Sequence, residues 1–572
     1  MRDETRSTVK VAAGVAGVVV TVLAVVVPGF GFEALGFGGD DDVTYADDVH
    51  PIVERECVVC HNAEGSAPFS LTSFTDVRDE ADRIARVTAA RAMPPWLPSA
   101  EAGTFAGERI LDEDEIAAIQ AWVAAGAPPG DTARLEAVAD LPGWDPGEPD
   151  LVVALPPVDL PAEGPDRYRN LVVSIPVTER RWVEYVELRP GSRTAVHHAR
   201  MMIDTTDSSA ELDAQDPEPG FDGMDLLSNA SNPPGHFIGW TPGKTRLEPL
   251  DGMPWPLEPG TDLVVQLHLR TTGEAEEVAG EVAFHFADEP AERHPAILVI
   301  SSLIIDIPAG EAEYTVTNAF TLPVDVEVLS VYPHAHFLGT DLRAYAVLPD
   351  GRERSLIHIP EWDFDWQDDY RFARPVFLPA GTQIVKRFTY DNSSANPRNP
   401  SDPPRRVVYG SNSDDEMADL ILQVLPRNEA DREALLQAQA WQHESEDMAY
   451  LAHVEHAEGA AALAQGDLDT ATRHFQEALQ YRADHVPALV GLARTFGERG
   501  DWSSSLLIAR QAEMMSAGSD ASAFDVLSAA HAALGDGTAA VAAAEQGLAL
   551  SRSAGDEALV AVFEARLRQL GR

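Results

Sequence analysis

Cysteine is nearly absent from this chain of 572 residues: there are two, Cys57 and Cys60, both within the stretch "ECVVCH". A disulfide across two intervening residues would close almost no loop, so covalent stapling of a large fold is excluded. Positive charge is also scarce. Lys and Arg number 42 against 93 Asp and Glu, a net charge of −51. Such a field repels polyanions and argues against nucleic acid or anionic lipid as partners. Long apolar runs are equally rare, with one candidate, "VAAGVAGVVVTVLAVVV" from Val11 to Val27. Its 17 residues are just long enough to span a bilayer and long for a removable signal core. Arg2, Arg6 and Lys10 precede it, acidic "GGDDD" follows, and no small-x-small cleavage site intervenes. Residues 1–40 therefore read as an uncleaved signal anchor or transmembrane segment. The basic leader stays cytoplasmic and the acidic bulk is exported, periplasmic and tethered to the inner membrane.

Export decides how the two thiols are read. In an oxidising compartment, structural cysteines come as distant pairs. Here the pattern is C-x-x-C-H, the attachment signature of c-type haem, with thioethers from Cys57 and Cys60 and His61 as proximal iron ligand. A zinc site would need further Cys or His pairs nearby, and none follow. A thioredoxin-like pair would not need the histidine. "RAMPPWLPS" offers Met93 as the second, soft axial ligand, with two prolines pinning the backbone behind it, and His50 is the competing ligand. "LDEDEIAAIQAWVAAG" predicts a helix with Asp112 as N-cap, Glu115 closing a capping box and Gly126 as stop. Residues 41–135 thus resemble a small class I cytochrome c domain.

Seven prolines between Pro142 and Pro165 mark residues 136–165 as a semi-stiff linker. Short alternating runs such as "LVVSIP", "DLVVQLHL" and "PVDVEVLSV" then predict strands, and their regular spacing predicts two tandem antiparallel β-sandwiches, 166–290 and 291–430. Residues 211–235 read as a long loop inside the first. From 431 to 572 the chain turns Ala-rich and helical. Gly466, Gly500 and Gly535 recur at spacings of 34 and 35 residues, with small residues at matching offsets, the period of tetratricopeptide repeats. The fold class expected is multidomain α + β: a helical haem domain, two β-sandwiches and a C-terminal α-solenoid.

Four stretches in the β region carry metal-ligand chemistry: "AVHHARMMID", "LVVQLHLRTTG", "VYPHAHFLGTD" and "GSNSDDEMADLILQV". They supply His197, His198, His268, His334, His336 and Met417. Imidazole and thioether suit copper cycling between two oxidation states and are poor ligands for calcium or magnesium. His334 and His336, two apart, share one face of a strand. Adjacent His197 and His198 would point to opposite faces, so joint ligation requires a bulge or a strand end. Met417 lies opposite the apolar face of Ala418, Leu420, Leu422 and Val424, so core burial does not account for it. His236 is the reserve ligand of the first site, whereas His285, His294 and His358 read as ordinary structural histidines.

The order H-H, "QLH", "HAH", "DEM" resembles the copper type II, ascorbate-dependent monooxygenases, which include the peptidylglycine α-hydroxylating and dopamine β-hydroxylating enzymes. The resemblance covers about residues 150–425 and implies two sandwiches facing across a solvent-filled cleft, with a copper on each. It implies an electron-transfer copper on His197, His198 and His268. A second copper, the catalytic one, would sit on His334, His336 and Met417 and bind dioxygen and substrate. The disulfides of the animal enzymes have no counterpart here.

The reading that follows is an exported haem c- and copper-containing oxidoreductase. It would be an O2-dependent monooxygenase that hydroxylates a C–H bond, with electrons passing from haem through a first to a second copper. The electrons would come from a donor protein or from ascorbate as reductant, and the repeats would recruit a protein partner. The alternative is a non-catalytic electron-transfer or copper-binding scaffold that assembles through its repeats. A third option is reduction of O2 or peroxide without organic substrate.

Overall fold

A computed structural model describes residues 43–62, 67–135, 147–223, 230–242, 244, 249–410 and 412–571. The apolar run Val11–Val27 lies outside them. Among the described residues, no helix is long and apolar enough to cross a membrane.

Residues 43–135 form a small helical unit. A π-helical turn, Tyr45–Val49, runs into the helix His50–Glu56, and the helices Phe74–Asp79, Ala81–Ala89 and Glu113–Ala124 follow. Val49, Ile52, Val53, Val77, Ile84, Ile119 and Trp122 make its core. Asp112 and Glu115 form the reciprocal capping box that the sequence predicts. Trp122 is fully buried, and its indole N–H donates to the Pro128 carbonyl at 3.0 Å. The chain after Met93 then leaves this unit. The Ala106 N–H donates to the Arg371 carbonyl and the Ala373 N–H to the Thr104 carbonyl, so the segment lies along a strand of the second β unit. Phe105 is part of that unit's core, and Trp96 packs edge-on against Tyr370 at 5.5 Å.

The first β unit is built mainly on two antiparallel sheets, with Glu276–Val278 and Val158–Leu160 paired as a further two-stranded one. One runs Leu151–Ala154, Glu281–Ala287, Arg181–Arg189, Trp255–Leu257; the other runs Phe221–Asp222, Arg167–Ser174, Asp262–Leu269, Val196–Asp204, Ile238–Trp240. Both contribute to one core around Leu171, Val183, Val265, Leu267 and Phe284. Two expectations change here. The proline-rich stretch predicted as linker contains strands Leu151–Ala154 and Val158–Leu160, because Val153, Leu155, Val158 and Leu160 alternate inward and reach that core. Pro156 and Pro157 fall between the two strands, where no ladder N–H is required. The predicted loop 211–235 holds the end of a short helix, Ser208–Asp213, and the strand Phe221–Asp222. Arg169 explains their order. Its buried guanidinium binds Asp216 and Asp222 and donates to the carbonyls of Glu218, Pro219 and Gly220.

The second β unit repeats the plan. Its sheets run Ala296–Ile300, Asp419–Pro426, Val326–His334, Tyr370–Leu378, and Tyr314–Thr321, Gln383–Tyr390, Gly339–Val347, Glu353–Ile359. Ala418, Leu420, Leu422 and Val424 are all fully buried, forming the inward face that their alternation predicts. The next helix, Glu429–Ala464, is 36 residues long. Its start packs on this unit through Leu435, and Gln439, Gln442 and His443 bond strand backbone atoms.

Six further helices stack in pairs up to Gln569. Gly466, Gly500 and Gly535 adopt φ of 77°, 81° and 84° just past helix ends, a conformation that favours glycine. The small residues at equal offsets, Ala471, Ser505 and Ala540, then Ala509 and Ala544, are buried between helices. Phe475 fills the first interface against Gly459 and Gly491, where a Cβ on Gly491 would lie 2.4 Å from its ring. Phe475→Ala is expected to cost about 3–5 kcal/mol and Gly491→Ala about 1–3 kcal/mol. Both losses should appear in urea unfolding of the repeat region, with the β units' hydrogen-exchange protection unchanged.

Candidate metal centres

His197 and His198 lie on the strand Val196–Asp204, beside His268 on Asp262–Leu269. The register between these strands shifts between Val196 and His198, leaving His198 paired with His268. This bulge lets two adjacent histidines serve one place. The His197 Nδ1 lies 3.1 Å from the His198 Nδ1 and 3.2 Å from the His268 Nδ1. Carboxylates hold the far nitrogens: His197 Nε2 donates to Asp365 at 3.0 Å and His268 Nε2 to Asp166 at 2.8 Å. A neutral ring that carries its proton on Nε2 turns a bare lone pair at Nδ1 toward its neighbours. Burial holds His268 below the usual imidazole range and His198 well below it, so extra protons are not the remedy. The three ligand nitrogens lie within 4.8 Å of one another, a group that could hold a metal ion. Tetrahedral bonds of about 2.0–2.1 Å place nitrogens about 3.3 Å apart, close to what is seen. His236 is not in the group; its Nδ1 donates to the Pro234 carbonyl at 2.8 Å.

The second set gathers at the end of the strand Val326–His334. The His334 and His336 rings are 5.2 Å apart and nearly perpendicular. His334 Nδ1 donates to Gln367 Oε1 at 2.6 Å and His336 Nδ1 to the Asp415 carbonyl at 3.1 Å, so each ring keeps Nε2 as its lone-pair nitrogen. Burial lowers both, His336 to about 3. His334 pairs with Asp419 across the sheet, and Met417 lies two residues before that partner. Glu416 binds the pieces together. Its fully buried carboxylate accepts the N–H groups of His336 at 2.9 Å, Leu338 at 2.7 Å and Met417 at 3.2 Å. Tyr390 donates to the Met417 carbonyl at 2.8 Å. Lys386, also fully buried, donates to the Ala418 carbonyl, and burial brings its ammonium down to about 7.

The two sets face each other at close range. Phe364 stacks on His197 with centroids 5.2 Å apart and meets His336 edge-on at 5.6 Å. The two imidazoles are therefore no farther apart than the sum of those distances, and the Phe364 ring touches both. Phe237 stacks on Tyr332 at 5.2 Å and Gln423 donates to the Gly235 carbonyl, closing the contact between β units.

In the helical unit, the N–H groups of Cys60 and His61 both donate to the Cys57 carbonyl, a tight turn that puts the motif at a helix end. No disulfide joins the two thiols. Burial pushes the Cys57 thiol up to about 12, the reverse of what a thiol-exchange pair needs. His61 Nδ1 donates to the Phe69 carbonyl at 3.0 Å, leaving Nε2 as its lone-pair nitrogen. His50 lies edge-on to Tyr45 and 3.8 Å from Glu54. Met93 is half-buried, its N–H bonded to the Val87 carbonyl, at the start of the segment that docks on the second β unit. Among the described residues one further group, Glu455, His474 and Glu477, could hold a cation. Arg473 already pairs with Glu477 and with His474 Nε2, while His474 Nδ1 bonds Glu455, so it is a satisfied ion-pair network.

Comparison with known proteins places one part of the chain. Residues 462–524 match the family model of the tetratricopeptide repeat. That segment is a tetratricopeptide repeat, within a C-terminal helical region of the same kind. Solved structures that align with about a fifth of the chain include the Arabidopsis OM64 TPR domain, at 15% identity, 22% of this chain, 96% of that chain and a TM-score of 0.20. The Sgt2 TPR domain from Aspergillus fumigatus aligns at 21% identity over 21% of this chain and 79% of that one, TM-score 0.20. PcrH from Pseudomonas aeruginosa aligns at 20% identity over 21% and 92%, TM-score 0.20. No curated protein matches the chain. Repeats of this kind commonly bind other proteins, which supports a protein partner.

Four residues around the histidines escape sequence reasoning: Asp166, Asp365, Gln367 and Glu416. Glu416 stands inside the "DEM" motif yet offers no ligand pattern of its own. Glu416→Ala would strand two buried N–H groups, at roughly 1–3 kcal/mol each, and a third, half-buried one on Met417, and the thermal midpoint is expected to fall accordingly. Lys386 predicts a pH effect. Its amine is lowered from 10.5 to about 7 on folding, so between those values the unfolded chain binds more protons. Stability contributed by this residue is present at high pH and is lost as pH falls toward 7. Urea midpoints between pH 7 and 10 should show a rising component of up to about 1.4 kcal/mol per pH unit, absent in Lys386→Met.

Proposed function

We propose that this chain is an exported haem c- and copper-containing oxidoreductase: an O2-dependent monooxygenase that hydroxylates a C–H bond of an organic substrate. The observation that carries it is the convergence of the His197, His198 and His268 Nδ1 atoms beside a second, differently built set, His334 and His336 with Met417 on the adjoining chain. Three imidazoles alone would accept zinc or copper. A thioether beside two imidazoles favours copper and its reduced state. Two units of packed antiparallel sheets would suit the copper type II monooxygenases, and the half-buried C-x-x-C-H turn would suit covalent haem with Met93 as the other axial ligand.

Bound in these places, haem would store one electron, and copper would supply a second one-electron store and the activation of O2. The chain's own residues do the positioning. Asp166 and Asp365 keep protons on the Nε2 atoms of His268 and His197, so their Nδ1 lone pairs remain available. Gln367 and the Asp415 carbonyl do the converse for His334 and His336. Glu416 fixes the backbone of the H-x-H turn against that of Met417. Phe364 and Trp362, both buried, keep water from the space beside His336, and the Trp362 indole donates to the His336 carbonyl at 3.1 Å. Val11–Val27 would anchor the protein at the inner membrane, and the repeats would hold a protein partner.

Purified protein carrying its metals should contain two coppers and one iron per chain. Met417→Ile should abolish substrate-dependent O2 uptake, with copper retained at the three-histidine site by electron paramagnetic resonance. An unaltered protein that takes up no O2 with any reductant would instead be a binding scaffold.

A further inference from the structure

The loop Trp362–Gln367 belongs to the second β unit, yet it touches histidines of both sets. Asp365 Oδ1 accepts from His197 Nε2 at 3.0 Å and from Arg270 at 2.9 Å, both on the first unit. Two residues on, Gln367 Oε1 accepts from His334 Nδ1 at 2.6 Å and from the Tyr332 hydroxyl at 3.1 Å. The Gln367 amide also donates to the Phe364 carbonyl at 2.9 Å, and the Phe364 ring lies against His197 and His336. Contact therefore runs without a gap from His334, through the Gln367 side chain and Phe364, to His197. The loop is held from behind. Arg398 binds Asp363 at 2.9 Å and donates to the Trp362 carbonyl, and the Asp365 N–H donates to Asp363 at 3.1 Å. Phe364 and Gln367 are buried, at 3% and 4% exposure, so neither can turn without displacing its neighbours.

We propose that this loop makes the two histidine sets one cooperative metal-binding unit, in which ordering the ligands of one site tightens the other. The proposal rests on the metal reading above. An imidazole is held in a ligating orientation by the partner of its second nitrogen, and here the acceptors of one histidine from each set, Asp365 for His197 and Gln367 for His334, stand on one short loop. Fixing His334 fixes Gln367 and Phe364, and with them one side of His197; the reverse holds through Asp365. Coupling of this kind is reciprocal.

The test uses the full chain stripped of metal and titrated with copper ions alone, each site being read separately in His198→Ala and His336→Ala backgrounds. Gln367→Leu is expected to weaken the His334/His336 site by about tenfold or more. It should also weaken the three-histidine site, whose histidines it does not touch, by about fivefold. Asp365→Asn, on a side chain about half exposed, should give the reciprocal pattern and carries the test if Gln367→Leu does not fold. Phe364→Leu should reduce the cross-effect while leaving both direct hydrogen bonds in place. Effects confined to the touched site in both variants overturn the coupling and leave the proposed function standing. An unaltered chain that binds no copper at either site overturns both.

Discussion

Asp365 accepts hydrogen bonds from two residues of the other β unit, His197 and Arg270, and the juxtaposition of the histidine sets depends on that contact. As a charge pair it is weak, since Asp365 and Arg270 are each about half exposed and water screens them. What makes it effective is the company it keeps. Phe364, next in the chain, is buried against His197, and the apolar contact of Met253 with Leu329 and Leu425 seals another part of the same boundary. Burial supplies the free energy of association, and the carboxylate supplies direction, choosing which imidazole nitrogen carries the proton. With no disulfide between the units, their alignment is set by these side chains alone.

The second unit tolerates a fully buried carboxylate and a fully buried amine close to the histidines, and each is costly unless bonded. Glu416 receives three backbone N–H groups, enough to offset part of a burial that still pushes it up to about 8. Lys386 meets one carbonyl and has Asp419 and Glu446 as its nearest opposite charges. Hydrophobic residues of similar volume would serve the core as well or better. The polar pair makes physical sense as a device that fixes the backbone on either side of Met417, with Glu416 before it and Lys386 on the carbonyl after it.

Local patterns were the legible part of this chain. The 34- and 35-residue spacing of glycines marked the repeats because each glycine caps a helix with positive φ. The capping box at Asp112 was legible for a similar reason: both partners lie within one turn. The adjacent histidines required a bulge, and the register shift lies between Val196 and His198. Non-local matters were not legible. Proline density hid the strands at 151–160, because short edge strands tolerate proline and their alternation spans few residues. Asp365 and Gln367 lie more than thirty residues from the histidines they orient, in a turn whose sequence is ordinary for a surface loop. Glu416 was in view but looked like one more acid in a chain with 93 Asp and Glu.

The long helix Glu429–Ala464 joins these matters to the repeats. Its N-terminal half buries Leu435 in the core of the second β unit, and His443 and Gln442 bond the edges of two strands there. Its C-terminal half packs Gly459 on Phe475, so the same helix opens the first repeat. A helix of this length spans about 54 Å at 1.5 Å per residue, and it contains no proline at which to bend. Flexible linkers let neighbouring domains turn independently; a continuous helix anchored in two cores does not. A protein held by the repeats would therefore stand at a fixed angle to the histidine-bearing unit, set by which face of the helix carries Leu435 and which carries Gly459.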